Sequence, residues 1–339
     1  MSVAATTRAH DVLAESDPLV FSRLRLAATG WAPAALGGRR VGQGAGALHA
    51  TLLAGEGAVF DTWAGATRVD ERRHGCVHYA TDGQWLHGLA EIDDRVDGLQ
   101  AASHRAYTDL FEVLAASPCP NLLRVWNYLA DINRQTGGSE RYREFNIGRQ
   151  QAFIEARRSA FEGSPAACAL GTREGPLRVY FLAGRRPPLA IENPRQVSAY
   201  RYPDRYGPRS PTFSRAALVD AGGGRSVLFI SGTASIVGHT TVHLGDVRRQ
   251  TEESLRNIAA VRQVAAERAG VAFPADALTY TVYVRDPADL AGVREVFEQA
   301  VGADSAAARD AIYLHADICR IELLVEIEAH GFARTGVPA

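Results

Sequence analysis

Between Leu228 and Glu328 the apolar residues switch spacing from two to 3.6 and back, twice, and this ordered switching constrains the fold more than any other feature. LFIS, starting at Leu228, reads as a short strand. Asp246 can cap a helix that carries Leu255, Ile258, Val261 and Ala265 on one face until Gly270 stops it. Leu278, Tyr280, Val282 and Val284 then alternate with Thr279, Thr281 and Tyr283, as in a half-buried strand. Asp286 and Pro287 open a second helix with Leu290, Val293 and Phe297 inward, and Gly302 closes it. Two strands end the pattern, at residues 312–317 and 323–328. Strand, helix, strand, helix, strand, strand predicts an α+β layer with helices packed on one face of a mixed sheet.

Upstream the signals are coarser. Residues 1 to about 110 mix short apolar runs with glycine-rich turns and read as strands and hairpins. Tyr107, Leu110, Phe111, Val113 and Leu114 recur at helical spacing before Pro118 and Pro120, and RVWNYLADIN (124–133) with YREFNIGRQQAF (142–153) reads as a second helix-rich piece. The proline-punctuated segment 191–216 is too aromatic and too rich in arginine for a plain linker. Near its middle we set the boundary between a domain at 1–205 and another at 206–339, since 339 residues favour two domains. Lys and Arg (37) nearly cancel Asp and Glu (38), so no whole-molecule field exists to hold a nucleic acid, and an anionic ligand must be held by local charge. No run of eighteen uncharged apolar residues and no leader pattern occurs, which predicts a cytoplasmic chain without a membrane partner. Cys76, Cys119, Cys168 and Cys319 form no C-x-x-C pair and read as reduced, mostly structural thiols, with neither a disulfide framework nor a metal site; only Cys319 has neighbours of chemical interest.

Period-two geometry on the last strand sends Leu323, Val325 and Ile327 to one face and Leu324, Glu326 and Glu328 to the other. A carboxyl on an otherwise apolar strand is costly unless exposed or paired, and a semi-buried one holds its proton to higher pH and can act as a general acid. On the residues alone, a solvated sheet face is the simpler account of both glutamates. Arg195, Arg201, Arg205, Arg209 and Arg215 are interleaved with Tyr200, Tyr202 and Tyr206, a local excess that suits a small dicarboxylate, because guanidinium forks bind carboxylates bidentately. A solvated arginine-rich loop is the alternative. Arg143 and Arg149 either extend that anion site or are surface charges on a helix.

Four phrases in order, RVWNYLADIN, YREFNIGRQQA, the 191–216 segment and LFISGTASIVGHTTVHLGDV, resemble the chorismatase family across roughly residues 120 to 330. LFISGTA, GDVRRQTEESLRNIAAV, YTVYVRD and LLVEIEA are also similar to the RidA/YjgF fold over roughly residues 213 to 330. The resemblance implies a two-domain fold with a C-terminal RidA/YjgF-like (chorismate mutase-like) domain. It also implies an N-terminal domain that is a diverged copy, although the residues show no internal repeat. It further implies a cofactor-free enzyme that removes the enolpyruvyl side chain of chorismate as pyruvate. Glu326 would be the acid that protonates the vinyl ether, and Arg143, Tyr202 and Arg215 would bind carboxylate, with Tyr206, Arg209 and Arg149 completing the binding set.

The family divides by product, and two positions bear on the division. The hydrolytic group has alanine where this chain has Gly232, whereas the group forming 3-hydroxybenzoate has glycine there and a cysteine seven positions before the acid, as Cys319 precedes Glu326. The resemblance therefore implies a 3-hydroxybenzoate synthase, in which glycine leaves room for the ring to tilt. Cys319 either assists ring opening, as a weak acid or nucleophile, or only shapes the pocket. The alternatives are a hydrolytic chorismatase giving a dihydroxycyclohexadiene carboxylate, a RidA-type imine deaminase, and a chorismate-binding protein without turnover. The arginine-rich segment argues against the deaminase. The implied assembly is a monomer or a homotrimer.

Other signals carry less. Gly42, Gly44 and Ala47, with Asp61 downstream, match a dinucleotide pattern but lack its strand and helix. His239 and His243 are separated by Thr240, Thr241 and Val242, which favour extended chain, too long for one metal to bridge. Trp126 and Tyr128 read as core, and no G-x-S-x-G phrase occurs.

Overall fold

The computed structural model describes residues 19–26, 36–41, 48, 50–55, 58–65 and 69–334. One order of elements occurs twice. The first set runs through strands Val77–Thr81 and Trp85–Ile92, helix α1 (Gly98–Ala115), strand Asn121–Ala130, helix α2 (Arg141–Glu155), and strands Ala166–Thr172 and Leu177–Gly184. The second runs through strands Ala216–Gly222 and Arg225–Ala234, helix α3 (Val247–Ala269), strand Thr279–Val284, helices α4 (Leu290–Val301) and α5 (Ala306–Asp310), and strands Ile312–His315 and Val325–Arg334. In both sheets the last strand lies between the second and third, and the third and fourth are a parallel pair. Parallel neighbours need a crossover, which α2 supplies in one unit and α4 with α5 in the other.

The layers are helix, sheet, sheet, helix. Tyr107, Leu110 and Phe153 of α1 and α2 pack on one face of the first sheet, and Ile258, Val261 and Phe297 of α3 and α4 on one face of the second. The other faces meet across a core that holds Trp126, Tyr180, Phe229 and Tyr283. A small sheet of Val20–Leu26, Gly37–Val41 and Ala58–Ala64 adds Trp63 and Val59 to that core. The two large sheets also exchange edge strands: Asp317–Ile318 pairs with Ala166–Thr172, and Thr51–Leu52 pairs with Ile312–His315.

The caps behave as expected: the Asp246 side chain accepts from the Arg249 backbone N–H, and Gly270 ends α3 at φ +66°. Two expectations fail for one reason. RVWNYLADIN belongs largely to the strand Asn121–Ala130, not to a helix, and Thr279–Val284 is buried on both faces, not half-buried. Strands sandwiched between a helix layer and a second sheet have no polar face, so the period-two signal disappears. Leu323 lies before the closing strand and joins the intersheet core, whereas Val325 and Ile327 face the helices. Trp126 and Tyr128 are core residues, and Thr240–Thr241 is extended. The Gly42, Gly44 and Ala47 pattern lies outside the described residues. Among the described residues no helix is long and apolar enough to cross a membrane.

Candidate active site

A cavity of about 430 Å³ opens between the two sheets, where the closing strand Val325–Arg334 begins. That volume falls within the ordinary range for small-molecule sites. Glu326 lies on its wall, only 4% exposed, paired in register with Ala234 on one side and Tyr283 on the other. Burial pushes its carboxyl up to about 8, helped by the charge of Glu328 and opposed by Arg124 and Arg215. Glu328, two residues along on the same face, has the opposite fate. Burial acts on it too, but Arg39, at 3.0 Å, and Arg124 outweigh burial and hold its carboxyl at about 2. One strand face thus presents a carboxyl that keeps its proton to higher pH beside one that loses it early, the kind of division that can separate a proton donor from an ionised neighbour. Neither glutamate faces solvent, so the simpler sequence reading of an exposed pair does not hold.

Gly232 touches Glu326 directly. It sits in a register shift between Ile230 and Thr233, and a Cβ there would lie 1.9 Å from Glu326 Oε1 and 2.9 Å from Cys168 Cβ. Cys319 is half-buried on the cavity wall, brought there because the Asp317–Ile318 strand crosses to the first sheet. Burial, then the neighbouring Glu326, pushes its thiol up to about 12, so at neutral pH almost no thiolate exists to act as a nucleophile.

Arginines line the same cavity. Arg215, 5% exposed, donates from Nη2 to the Val197 carbonyl and the Tyr202 hydroxyl, both at 2.8 Å, while its Nε has no partner among the described residues. Arg149 of α2, 2% exposed, lies over the rings of Tyr107, Phe145 and Phe153, with Nε and Nη2 unpartnered among the described residues. Buried guanidinium N–H groups without acceptors are costly, and an entering carboxylate removes that cost. Arg143 is half-buried at the rim, 3.6 Å from Glu140, and Tyr206 donates to the His239 carbonyl. Arg209 is the exception. It is exposed and outside the cavity lining, because the turn at Gly207–Pro208 carries it to the surface. Arg195 also leaves the anion site, since it is paired with Glu253 and Asn257 of α3.

Two lining residues escaped the sequence reading. Arg320 stacks 3.9 Å from the Tyr206 ring centroid with Nη2 buried and unpartnered among the described residues; its place directly after Cys319 was the available signal. Cys168 comes from the first sheet and stands near enough to Glu328 to help hold its carboxyl down. Nothing local in AACALGT announces it, because its partners arrive only when the sheets meet.

The fold agrees with that of known proteins. The family described as "Chorismatase FkbO/Hyg5-like, N-terminal" matches residues 61–183. A "3-hydroxybenzoate synthase" of Streptomyces hygroscopicus is 38% identical over 79% of this chain and 80% of its own length. A "Chorismatase" of Streptomyces rapamycinicus is 39% identical over 83% of this chain and 84% of its own. A crystal structure of a chorismatase aligns with TM-score 0.81 and 31% identity, covering 93% of this chain and 99% of that one. The chain belongs to the chorismatase family. Part of it also aligns with Rv2704 of Mycobacterium tuberculosis, from the YjgF/YER057c/UK114 family, at 28% identity and TM-score 0.25 over 35% of this chain and 86% of that one.

Proposed function

We propose that this chain converts chorismate to 3-hydroxybenzoate and pyruvate. The observation that carries the reading is a buried Glu326 that keeps its proton, in contact with Gly232, in a cavity also lined by buried guanidinium N–H groups without partners among the described residues. Arg215 and Arg149, with Arg143, Tyr202 and Tyr206, hold the two substrate carboxylates and orient the ring. Glu326 gives its proton to the terminal methylene carbon of the enolpyruvyl ether, and positive charge develops on the adjacent ether carbon. The C3–O bond then breaks, its electron pair completes the keto group of pyruvate, and the substrate's C4 hydroxyl oxygen bonds to C3. The hydroxyl proton returns to the Glu326 carboxylate. Opening of the C4–O bond with loss of the C3 hydrogen as a proton gives the aromatic ring, so substrate and products balance without water.

Gly232 supports this route over the hydrolytic one. With no Cβ at 232, the acid lies close against the strand and the ring side of the cavity stays free; an alanine would displace the carboxyl toward the substrate. Cys319 acts in this reading as a neutral thiol that shapes the wall beside the acid. The chain works without a cofactor, in the cytoplasm, as a monomer or a homotrimer. Incubation with chorismate in oxygen-18 water, followed by chromatography and mass spectrometry, tests the proposal. Unlabelled 3-hydroxybenzoate is expected, and a dihydroxycyclohexadiene carboxylate as the ring product would assign the chain to hydrolysis. Binding without pyruvate release would leave only a sensing role.

A further inference from the structure

A second, smaller cavity of about 20 Å³ lies between the sheets, outside the chorismate site. Trp63, Trp126 and Phe229 form its apolar wall. Three of its lining residues carry polar atoms that are buried and unpartnered among the described residues: Nη1 of Arg124, the hydroxyl of Tyr180 and Nε2 of His330. Arg124 and Tyr180 are each 2% exposed. All three atoms can donate a hydrogen bond, His330 in the tautomer protonated at Nε2. Buried donors of this kind are rarely left unmet in a folded protein.

The charges around the cavity do not balance. Asp61 is held by Arg23 at 2.7 Å and by Arg39 at 3.1 Å, and Glu328 by Arg39 and Arg124. Among the described residues three guanidinium groups therefore face two carboxylates at this cavity. The two histidines of the lining add no charge, because burial holds His87 down at about 4 and His330 at about 3. Around this cavity one positive charge has no counter-charge among the described residues, and an unpaired buried charge is among the costliest features a fold can carry.

We infer that this cavity is a binding site for one small monovalent anion of the halide class, held by Arg124, Tyr180 and His330 inside the intersheet core. A cavity this small excludes sulfate, phosphate and organic acids. It admits one halide or one water, and the excess positive charge selects the anion.

Bromide is the probe. Crystals of the full chain soaked in sodium bromide, measured at the bromine absorption edge, should show an anomalous peak within hydrogen-bonding distance of Arg124 Nη1. In solution at constant ionic strength, exchanging gluconate for bromide should raise the Tm by about 2 °C for each tenfold increase above the dissociation constant. Tyr180→Phe keeps the shape of the wall and should weaken that dependence, and Arg124→Met should abolish it. If Arg124→Met does not fold, the native chain and Tyr180→Phe decide. Water density without an anomalous peak, or equal melting in bromide and gluconate, overturns the site.

Discussion

Glu326 and Glu328 differ by two positions on one strand, yet their surroundings set their carboxyls apart, at about 8 and about 2. The consequence for rate is direct: kcat/KM should fall as pH rises through about 8, because the acid must carry its proton. Glu328→Gln removes the neighbouring negative charge, so the falling limb should move to lower pH, and a pH–rate profile that stays in place would separate Glu328 from the acid. Glu326→Gln should reduce pyruvate release by about a hundred- to ten-thousandfold while chorismate still binds, as a calorimetric titration can show. Stability should move the other way. A carboxyl raised from its ordinary value to about 8 contributes its stabilising proton fully below about pH 4.5 and loses it as pH rises through about 8. Glu326→Gln has no such proton to lose, so it should melt above the native chain near pH 9, and the gap should close toward pH 5.

At the scale of elements, the irregular pairing of Arg225–Ala234 with the closing strand places Gly232 against the acid. Gly232→Ala must move the Glu326 carboxyl or the Cys168 side chain. It should lower the yield of 3-hydroxybenzoate and shift output toward the dihydrodiol acid, and an unchanged product ratio by chromatography would remove the steric account. Helices α3 and α4 and their caps were legible in the sequence because each has one solvent face, and Asp246, Gly270 and Gly302 mark their ends. The strand Asn121–Ala130 was not legible, since both of its faces are buried. Arg149 could not be told from a surface charge, because α2 buries a strongly polar face, Arg149 and Gln150 among it, that a hydrophobic pattern cannot reveal.

For the whole molecule, the edge strands that cross between the two halves of the chain link the two sheets. Trp63, Trp85 and Trp126 all sit in the intersheet core, so their fluorescence reports that interface, whereas far-ultraviolet circular dichroism reports the helices outside it. The two signals should melt together, and two separated transitions would show that the sheets unfold independently. Residues 206–339 alone would lack the Thr51–Leu52 edge and expose Phe229 and Tyr283, so that fragment should self-associate or aggregate when expressed by itself. The repeat of topology had no trace in the residues. Two units can share strand order while differing at nearly every side chain, because each needs only apolar faces of the right period.

By itself the sequence determined the alternation of strands and helices after Leu228, the caps that end α3 and α4, and the family phrases, because these are local. Only the tertiary structure decided which carboxyl keeps its proton, which arginines turn inward, and that Cys168 and Arg124 from the first sheet stand beside the closing strand of the second. Those properties depend on burial and on partners more than a hundred residues away, and neither exists until the two sheets close on each other.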